Sequence, residues 1–355
     1  MPAFFDDISR YGSVAVVGTA KNVGKTFCLQ RILAHYRDRG AALAVTSIGV
    51  DGENTDVFYK TPKPELTFYP GMLVQTSETH YRQRRLTADI LEIGRTSTAL
   101  GRLVTARVAV PGKLIISGPS DTEGLKAFIA YAHAAGHPTV LIDGALSRMS
   151  LASSAVAQGM ILCTGAALSK SMDKVVQDAV FRYKLMQLPP VEPSELLGGA
   201  AADPVTVERL DRIRQGVWGL SEEAGLVDLG LRSTLVGGLP PILKGGGGVS
   251  GEKVAAPNAL FIAGMLSDRF LQSLCERKPP LDLIVSDFTK IFVQPATYSL
   301  FLKRGGRLRV LRRTELLAVC ANPCAPEGYA FDSARLCAAL SRALDREVFD
   351  LRQVR

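Results

Sequence analysis

Near the amino terminus, an apolar run leads into glycine, lysine and threonine at a spacing that can bind phosphate. Residues 14–17 are mostly valine, Gly18 follows them, and Gly24-Lys25-Thr26 closes the loop. Backbone N–H groups at a helix start bind phosphate oxygens, and a threonine hydroxyl can ligate Mg²⁺. The segment therefore predicts a phosphate-binding P-loop, with Lys25 at the β- and γ-phosphates and Thr26 on the metal.

The loop departs from the usual GxxxxGK[ST] pattern at its first glycine. Thr19 stands where that glycine belongs, and Gly18 lies one residue earlier. An ordinary glycine-rich turn is the alternative interpretation, but the strand, loop and helix context favours nucleotide binding. We therefore expect the nucleotide to contact the loop throughout, at Gly18, Thr19, Ala20, Lys21, Asn22, Val23, Gly24, Lys25 and Thr26. For Lys21, a solvated loop charge is the alternative role.

A helix must follow this loop, and neighbouring strands must bring other polar groups to it. After Lys25 the apolar residues fall at helical spacing, at Leu29, Ile32, Leu33 and Tyr36. In open α/β sheets, the loops at the carboxyl ends of parallel strands carry the site. Acidic residues that follow strand candidates are therefore the next candidates for the chemistry.

An acidic segment follows the second strand candidate, residues 42–48. It reads Gly49-Val50-Asp51-Gly52-Glu53. We expect Asp51 to bind Mg²⁺, directly or through another group, and Glu53 to act with Lys25 in catalysis by orienting the attacking water. An acidic turn without a catalytic role is the alternative for both residues.

A second carboxylate ends the strand candidate at residues 139–142. The run Val140-Leu141-Ile142-Asp143-Gly144 has the form of a Walker B segment, in which apolar residues precede an aspartate at the strand tip. Such an aspartate holds Mg²⁺ directly or through water. Thr26, Asp51 and Asp143 are therefore predicted to converge on one Mg²⁺ ion.

Two later strand ends bear on the nucleotide base. Ser169-Lys170-Ser171 follows the strand candidate at residues 159–164, and it lacks the Asn-Lys-x-Asp pattern that reads guanine. The sequence thus favours ATP over GTP. Asn322-Pro323 follows the strand candidate at residues 316–320, a position that suits contacts to the base. A simple Asn-Pro turn is the alternative.

The loop spacing resembles that of a known class of enzymes. Gly18-Thr19 followed by Gly24-Lys25-Thr26 is similar to the P-loop of dethiobiotin synthetases and of cobyrinic or cobyric acid synthases, which are related to the septum-site and nitrogenase-iron-protein ATPases. The resemblance covers about the first half of the chain. Related synthetases place an acidic residue after the second strand, which supports the assignment of Asp51.

Strand and helix patterns alternate along most of the chain and predict an α/β P-loop NTPase with a mostly parallel sheet. Residues 1–190 would form the NTPase domain, with an inserted β element at about 54–112 that contains a hairpin turning at 96–101. Residues 113–117 are predicted to begin the alternation again as a strand. Residues 191–250 would be a helical and glycine-rich linker, and residues 251–355 a second, C-terminal α/β region.

Composition excludes several classes of protein. The chain has 355 residues, 47% of them apolar, and a net charge of +8 that is scattered rather than interleaved with aromatic residues, so nucleic acid is not an expected partner. The six cysteines form no paired framework, and no apolar run is long enough to span a bilayer. These features favour a reduced, cytoplasmic protein without a membrane segment.

Several further segments carry a more specific resemblance. They are residues 18–26, 46–53, 142–145, 163–172 and 321–323. Together they are similar to the KamB-like P-loop subunits of lysine 5,6-aminomutase reactivases. The resemblance implies an ATPase chaperone that drives exchange of damaged cofactor on a cobalamin-dependent aminomutase. It also implies a second, smaller reactivase subunit as partner, with homo- or hetero-oligomers both open.

Three classes of function remain open at this stage. The first is the ATPase chaperone, a hydrolase whose substrate is a protein. The second is an ATP-dependent synthetase of the dethiobiotin or cobyrinic acid synthase type, which activates a small carboxylic acid. The third is a nucleotide-dependent switch or metallochaperone, which the lack of Cys/His clusters disfavours.

Overall fold

The described residues divide into two compact units. The computed structural model describes residues 3–37, 39–40, 42–48, 65–144, 156–192, 196, 205–221, 225–235, 239, 243, 257–350 and 352–353. The first unit comprises residues 1–180 together with 314–355, and the second comprises residues 181–313.

The α-helices and strands alternate along most of the chain. The helices are α1 (Phe4–Asp7), α2 (Lys25–Arg37), α3 (Glu78–Arg82), α4 (Thr122–Ala134), α5 (Met172–Met186), α6 (Val207–Asp211), α7 (Asp268–Cys275), α8 (Pro295–Lys303) and α9 (Ser333–Leu344). The strands are β1 (Ser13–Gly18), β2 (Leu43–Ser47), β3 (Leu66–Phe68), β4 (Leu73–Ser77), β5 (Arg85–Thr98), β6 (Gly101–Leu114), β7 (Thr139–Asp143), β8 (Gly159–Gly165), β9 (Val217–Ser221), β10 (Gly225–Leu231), β11 (Ala259–Ile262), β12 (Leu266–Ser267), β13 (Asp282–Val285), β14 (Ile291–Phe292), β15 (Arg307–Val310), β16 (Glu315–Asn322) and β17 (Val348–Phe349).

One mixed sheet organises the first unit. Within the described residues its order is β17-β16-β8-β1-β7-β2-β4-β6-β3, with β5 paired to β6. The strands from β17 to β4 are parallel, whereas β3 and β5 pair antiparallel with β6, which is itself antiparallel to β4. The carboxyl end of β1 therefore lies between the ends of β7 and β8. The chain is α/β with a large, mostly parallel sheet, as the sequence predicts.

Apolar side chains cover both faces of the central strands. Val14 and Leu141 contribute to the cluster that packs beneath α2, while Val140 and Ile142 pack with Phe128 of α4 on the opposite face. Strands buried on both faces read as continuous apolar runs rather than as alternating patterns. This explains why β1 and β7 could be recognised from the sequence.

The predicted β insertion is only partly correct. The hairpin of β5 and β6 is confirmed, with Thr98 opposite Gly101 at its turn. However, β4 belongs to the parallel part of the sheet, because it pairs with β2. The predicted strand at residues 113–117 is wrong, since β6 runs antiparallel through Gly112 to Leu114 and ends there. Pro111 and Gly112, which lie between the two predicted strands, are both within β6.

The carboxyl-terminal residues return to the first sheet. The sequence suggests a C-terminal region spanning 251–355, but residues 314–355 lie in the first unit. The physical reason is that β16 pairs in parallel with β8 along most of its length, and β17 pairs with β16. The segment at 191–250, expected to be a linker, contains the antiparallel strands β9 and β10.

The second unit has its own five-stranded sheet among the described residues. Its order is β10-β9-β11-β13-β15, with β11, β13 and β15 parallel and β9 and β10 antiparallel. Its core includes Leu210, Leu220, Phe261 and Ile284. Across the described residues of both units, none of the helices combines the length and the apolar composition that crossing a bilayer requires.

A tight approach between β8 and β16 gives a first testable prediction. A Cβ atom at Gly165 would lie 2.0 Å from the carbonyl oxygen of Asn322. We expect Gly165→Ala to lower the free energy of unfolding by about 2 kcal/mol, because the two strands must separate to admit the methyl group. Urea unfolding would measure this. In Gly264→Ala the new Cβ meets nothing within 4 Å, so that control should stay near wild type. Equal stability of the two variants would contradict the prediction.

Candidate phosphate-binding site

The loop at residues 18–26, hereafter the 18–26 loop, joins the end of β1 to the start of α2. Asn22 and Gly24 have positive φ angles of 60° and 98°. Glycine adopts this left-handed backbone without strain, and asparagine is among the residues that tolerate it best. The backbone then enters α2 at Lys25, and Cys28 N–H donates to the Gly24 carbonyl at 2.9 Å in the first helical turn.

Thr19 ties the beginning of the loop to β8. Its backbone N–H donates to the Cys163 carbonyl at 2.9 Å, and its hydroxyl donates to the Thr164 hydroxyl at 3.1 Å. Both threonine side chains are buried. The threonine that replaces the usual first glycine therefore has a structural role in this chain, because it fixes the loop to the neighbouring strand.

The Lys25 side chain folds back over the start of the loop. A Cβ atom placed on Gly18 would lie 2.9 Å from Lys25 Cγ and 2.6 Å from Val23 Cγ2. Only glycine leaves room for this path. The charge of Lys25 acts on the Asp143 carboxyl, whose pKa it lowers against the stronger effect of burial. The charge of the lysine that would contact phosphate therefore reaches the predicted Walker B aspartate.

Asp143 lies at the centre of the parallel sheet, at the end of β7. It stands opposite Val16 of β1 and Ser47 of β2. Burial raises its pKa, only partly offset by the Lys25 charge, and Oδ1 is buried with no hydrogen-bond partner among the described residues. A buried carboxylate oxygen without a hydrogen-bond partner is energetically costly. Its presence here indicates that the Asp143 carboxylate binds a ligand when the protein functions.

Asn322 holds the outer side of the 18–26 loop. Its Nδ2 donates to the Asn22 carbonyl at 3.1 Å, and its Oδ1 accepts from Cys324 N–H at 3.2 Å. A Cβ atom at Gly24 would lie 3.1 Å from Asn322 Cβ. The Pro323 carbonyl accepts from Phe331 N–H at 2.9 Å. Asn322 thus supports the loop that would bind phosphate, and Pro323 shapes the turn after β16.

A cavity of about 240 Å³ opens beside the 18–26 loop. Gly24, Phe27 and Asn322 contribute to its lining, together with residues of β8, β16 and the segment after α9. The Phe27 side chain is 40% exposed. The cavity offers an aromatic and largely apolar wall immediately outside the loop.

The structure brings together part of the predicted site. Lys25, Thr26, Asp143 and Asn322 are all carried by the 18–26 loop, α2, or strands at the same edge of the sheet. Asp51 and Glu53 lie outside the described residues. Sequence reasoning missed the anchor at Thr164, although a hydroxyl at the end of β8, next to β1, was a signal that could have suggested it.

The arrangement fits a magnesium-bound nucleotide. The loop bears a glycine cradle that a Cβ would fill, and a lysine and an orphaned carboxylate oxygen lie at its inner side. Mg²⁺ prefers one or two carboxylates with waters and phosphate oxygens rather than an all-protein cage. The described part of the chain contains no cluster of three or more His, Cys, Asp or Glu residues arranged to hold a metal ion.

Comparisons with protein-family models, curated proteins and solved structures gave no match.

Proposed function

We propose that this chain is a P-loop NTPase that hydrolyses ATP with Mg²⁺ and acts as a reactivating factor for a cobalamin-dependent aminomutase. The observation that carries the ATPase assignment is the buried Asp143 Oδ1, which has no partner in the described structure and whose carboxyl feels the charge of Lys25 at the start of α2. Asp143 itself is partly exposed at the end of β7, while its Oδ1 atom is buried and lacks a partner in the described structure. A carboxylate in that state is suited to a hydrated magnesium ion.

Each residue has a distinct task in this proposal. The loop amides and the N-terminus of α2 bind the phosphates, and Lys25 places a positive charge on their outer oxygens. Thr26 and Asp143 hold the metal, which supplies neutralisation of the phosphate charge. The acidic residues Asp51 and Glu53 remain proposed as metal ligand and water-orienting group. The nucleoside would extend past Asn322 into the cavity beside Phe27.

The reactivase assignment is supported by the residues that carry the sequence resemblance. Two of those segments, at 163–172 and 321–323, belong to β8 and β16 and their terminal loops, and both contact the 18–26 loop. The Tyr329 hydroxyl also donates to the Ala166 carbonyl at 2.5 Å, which joins the two strand-end loops. Nucleotide binding at the loop can therefore act on the surface that these loops form.

A reconstitution experiment tests the role. A purified aminomutase stalled with damaged cobalamin is given fresh adenosylcobalamin, Mg-ATP, this protein and any smaller subunit encoded beside it. We expect mutase activity to recover, and recovery to require both ATP and Lys25. Replacing ATP with ADP serves as the matched control without a γ-phosphate.

The alternative synthetase function makes the opposite prediction in the same system. A synthetase would leave the stalled mutase inactive and would show ATP hydrolysis stimulated by a small carboxylic acid, with phosphate release tied to product. That pair of results would contradict the reactivase proposal while leaving the ATP site intact. Failure of Mg-ATP to bind at all would contradict both functions.

A further inference from the structure

The cavity beside the 18–26 loop is unusually rich in thiols. Cys163 of β8, Cys320 of β16 and Cys324 all line it. A fourth thiol, Cys28 of α2, lies 4.0 Å from Cys320, sulfur to sulfur. Cys163 and Cys320 are buried, whereas Cys324 is partly exposed at the cavity wall. These residues come from distant parts of the sequence, and the nucleotide chemistry proposed above uses none of their sulfur atoms.

Cys324 is a partly exposed cavity thiol that lies against a positively charged side chain. The guanidinium of Arg352 donates a hydrogen bond to the Cys324 sulfur, and the Arg352 side chain also lines the cavity. The reactive form of cysteine is the thiolate, and reactive cysteines lie in electropositive, partly exposed surroundings. The guanidinium also provides a binding group for a carboxylate on an incoming small molecule.

A short chain of hydrogen bonds links Cys324 to the 18–26 loop. Cys324 N–H donates to Asn322 Oδ1 at 3.2 Å, and Asn322 Nδ2 donates to the Asn22 carbonyl at 3.1 Å. Asn22 is the loop residue at a φ of 60°. A group added to the Cys324 sulfur would occupy the cavity that Gly24 and Asn322 also line, next to this chain.

We propose that Cys324 is a thiol–disulfide exchange site for small anionic disulfides, and that its modification blocks nucleotide binding at the 18–26 loop. The Cys324 sulfur attacks one sulfur of the disulfide and forms a new S–S bond with it. The original S–S bond breaks, its second sulfur leaves as a thiolate with the bonding pair, and the Cys324 proton passes to solvent. Cys324 is oxidised and the small disulfide is reduced. The blocking of nucleotide rests on the proposed ATP site, whereas the exchange reaction does not.

Oxidised glutathione is the anionic probe, and cystamine is the cationic one. We expect intact-mass measurements to show one glutathione adduct per chain, removed by dithiothreitol and mapped by peptide digestion to Cys324. Cys337→Ser is the matched control, because Cys337 is also partly exposed but burial raises its pKa. The adduct should persist in that variant and be lost in Cys324→Ser. Equal labelling at Cys337, or an unchanged adduct in Cys324→Ser, would overturn the assignment of Cys324 as the exchange site.

The charge preference tests the role of Arg352 separately. With rates normalised to those of free cysteine, oxidised glutathione should react about tenfold faster than cystamine. Arg352→Gln should remove this preference. A preference that is absent in the wild type, or unchanged in Arg352→Gln, would overturn the assignment of the guanidinium.

Two measurements test whether modification of Cys324 affects the 18–26 loop. The glutathione adduct should raise the Kd for Mg-ATP at least about tenfold, since it fills the space next to Gly24. Without nucleotide, it should also speed hydrogen exchange of residues 18–28. An adduct with unchanged exchange and unchanged Kd would overturn the proposed control. If unmodified protein binds no Mg-ATP, the ATPase proposal fails, while adduct mapping and exchange still decide the thiol site.

Discussion

Replacing Lys25 with alanine is expected to abolish ATP hydrolysis, with kcat falling about 10²- to 10³-fold. The lysine is the cation that folds over Gly18 and faces Asp143 at the inner side of the loop. Its removal leaves the transferring phosphoryl group without a preorganised positive charge. Phosphate-release kinetics measure the loss of turnover, and calorimetry measures the accompanying weaker binding of Mg-ATP.

A surface lysine provides the matched control for this variant. Lys126 of α4 forms an exposed pair with Glu123 at 3.2 Å, so Lys126→Ala removes the same charge away from the 18–26 loop. Hydrolysis and Mg-ATP affinity should then stay at wild-type values. Unchanged Mg-ATP affinity in a folded Lys25→Ala protein would count against the phosphate-binding role of the loop.

Replacing Asp143 with asparagine is expected to have two opposite effects. Hydrolysis and its dependence on Mg²⁺ should weaken strongly, because the neutral amide is a poor ligand for a hard cation. The nucleotide-free protein should become more stable at neutral pH, with Tm raised by about 2–4 °C. A buried carboxylate oxygen without a hydrogen-bond partner costs at least about 1 kcal/mol, and the amide removes the charge of Asp143. Phosphate-release assays at varied Mg²⁺ and thermal unfolding measure the two effects.

The stability that Asp143→Asn gains is expected to depend on pH, in a direction set by the pKa of Asp143. The pKa of Asp143 is raised in the folded protein above its ordinary value of 3.8. Between those two values the folded state binds more protons than the unfolded state, so stability declines as pH rises through this window. The gain from Asp143→Asn should therefore be full above the raised pKa and vanish below about pH 3.8. Asp173→Asn, which changes an exposed carboxylate, is the control variant. A pH-independent gain would contradict the argument.

The site elements that the sequence predicts well are local. The β1 run, the 18–26 loop and the first turn of α2 are contiguous, and strand burial on both faces makes the run before Asp143 apolar. A parallel sheet then brings the ends of β1 and β7 together without further information. For this reason the sequence alone predicts that Lys25 and Asp143 lie near each other.

The features that the sequence misses depend on long-range pairing. β16 follows the whole second unit before it pairs with β8, and no local pattern indicates which sheet it joins. The contacts of Thr19 with Thr164, and of Asn322 with Asn22, exist only because of that pairing and of the β1–β8 pairing. The thiols around the cavity also lie close together only because of these strand pairings. The strand predicted at residues 113–117 likewise failed because the antiparallel pairing of β6 with β3 extends through Lys113 and Leu114.

A crystal structure with Mg²⁺ and a non-hydrolysable ATP analogue would test the proposed nucleotide site. We expect phosphates on the amides of the 18–26 loop, Lys25 at the outer phosphates, and one Mg²⁺ held by Thr26. We also expect Asp143 and Asp51 to reach that metal directly or through one water. A nucleotide bound elsewhere, or a metal with both carboxylates farther than one bridging water, would contradict the proposed Mg-ATP site.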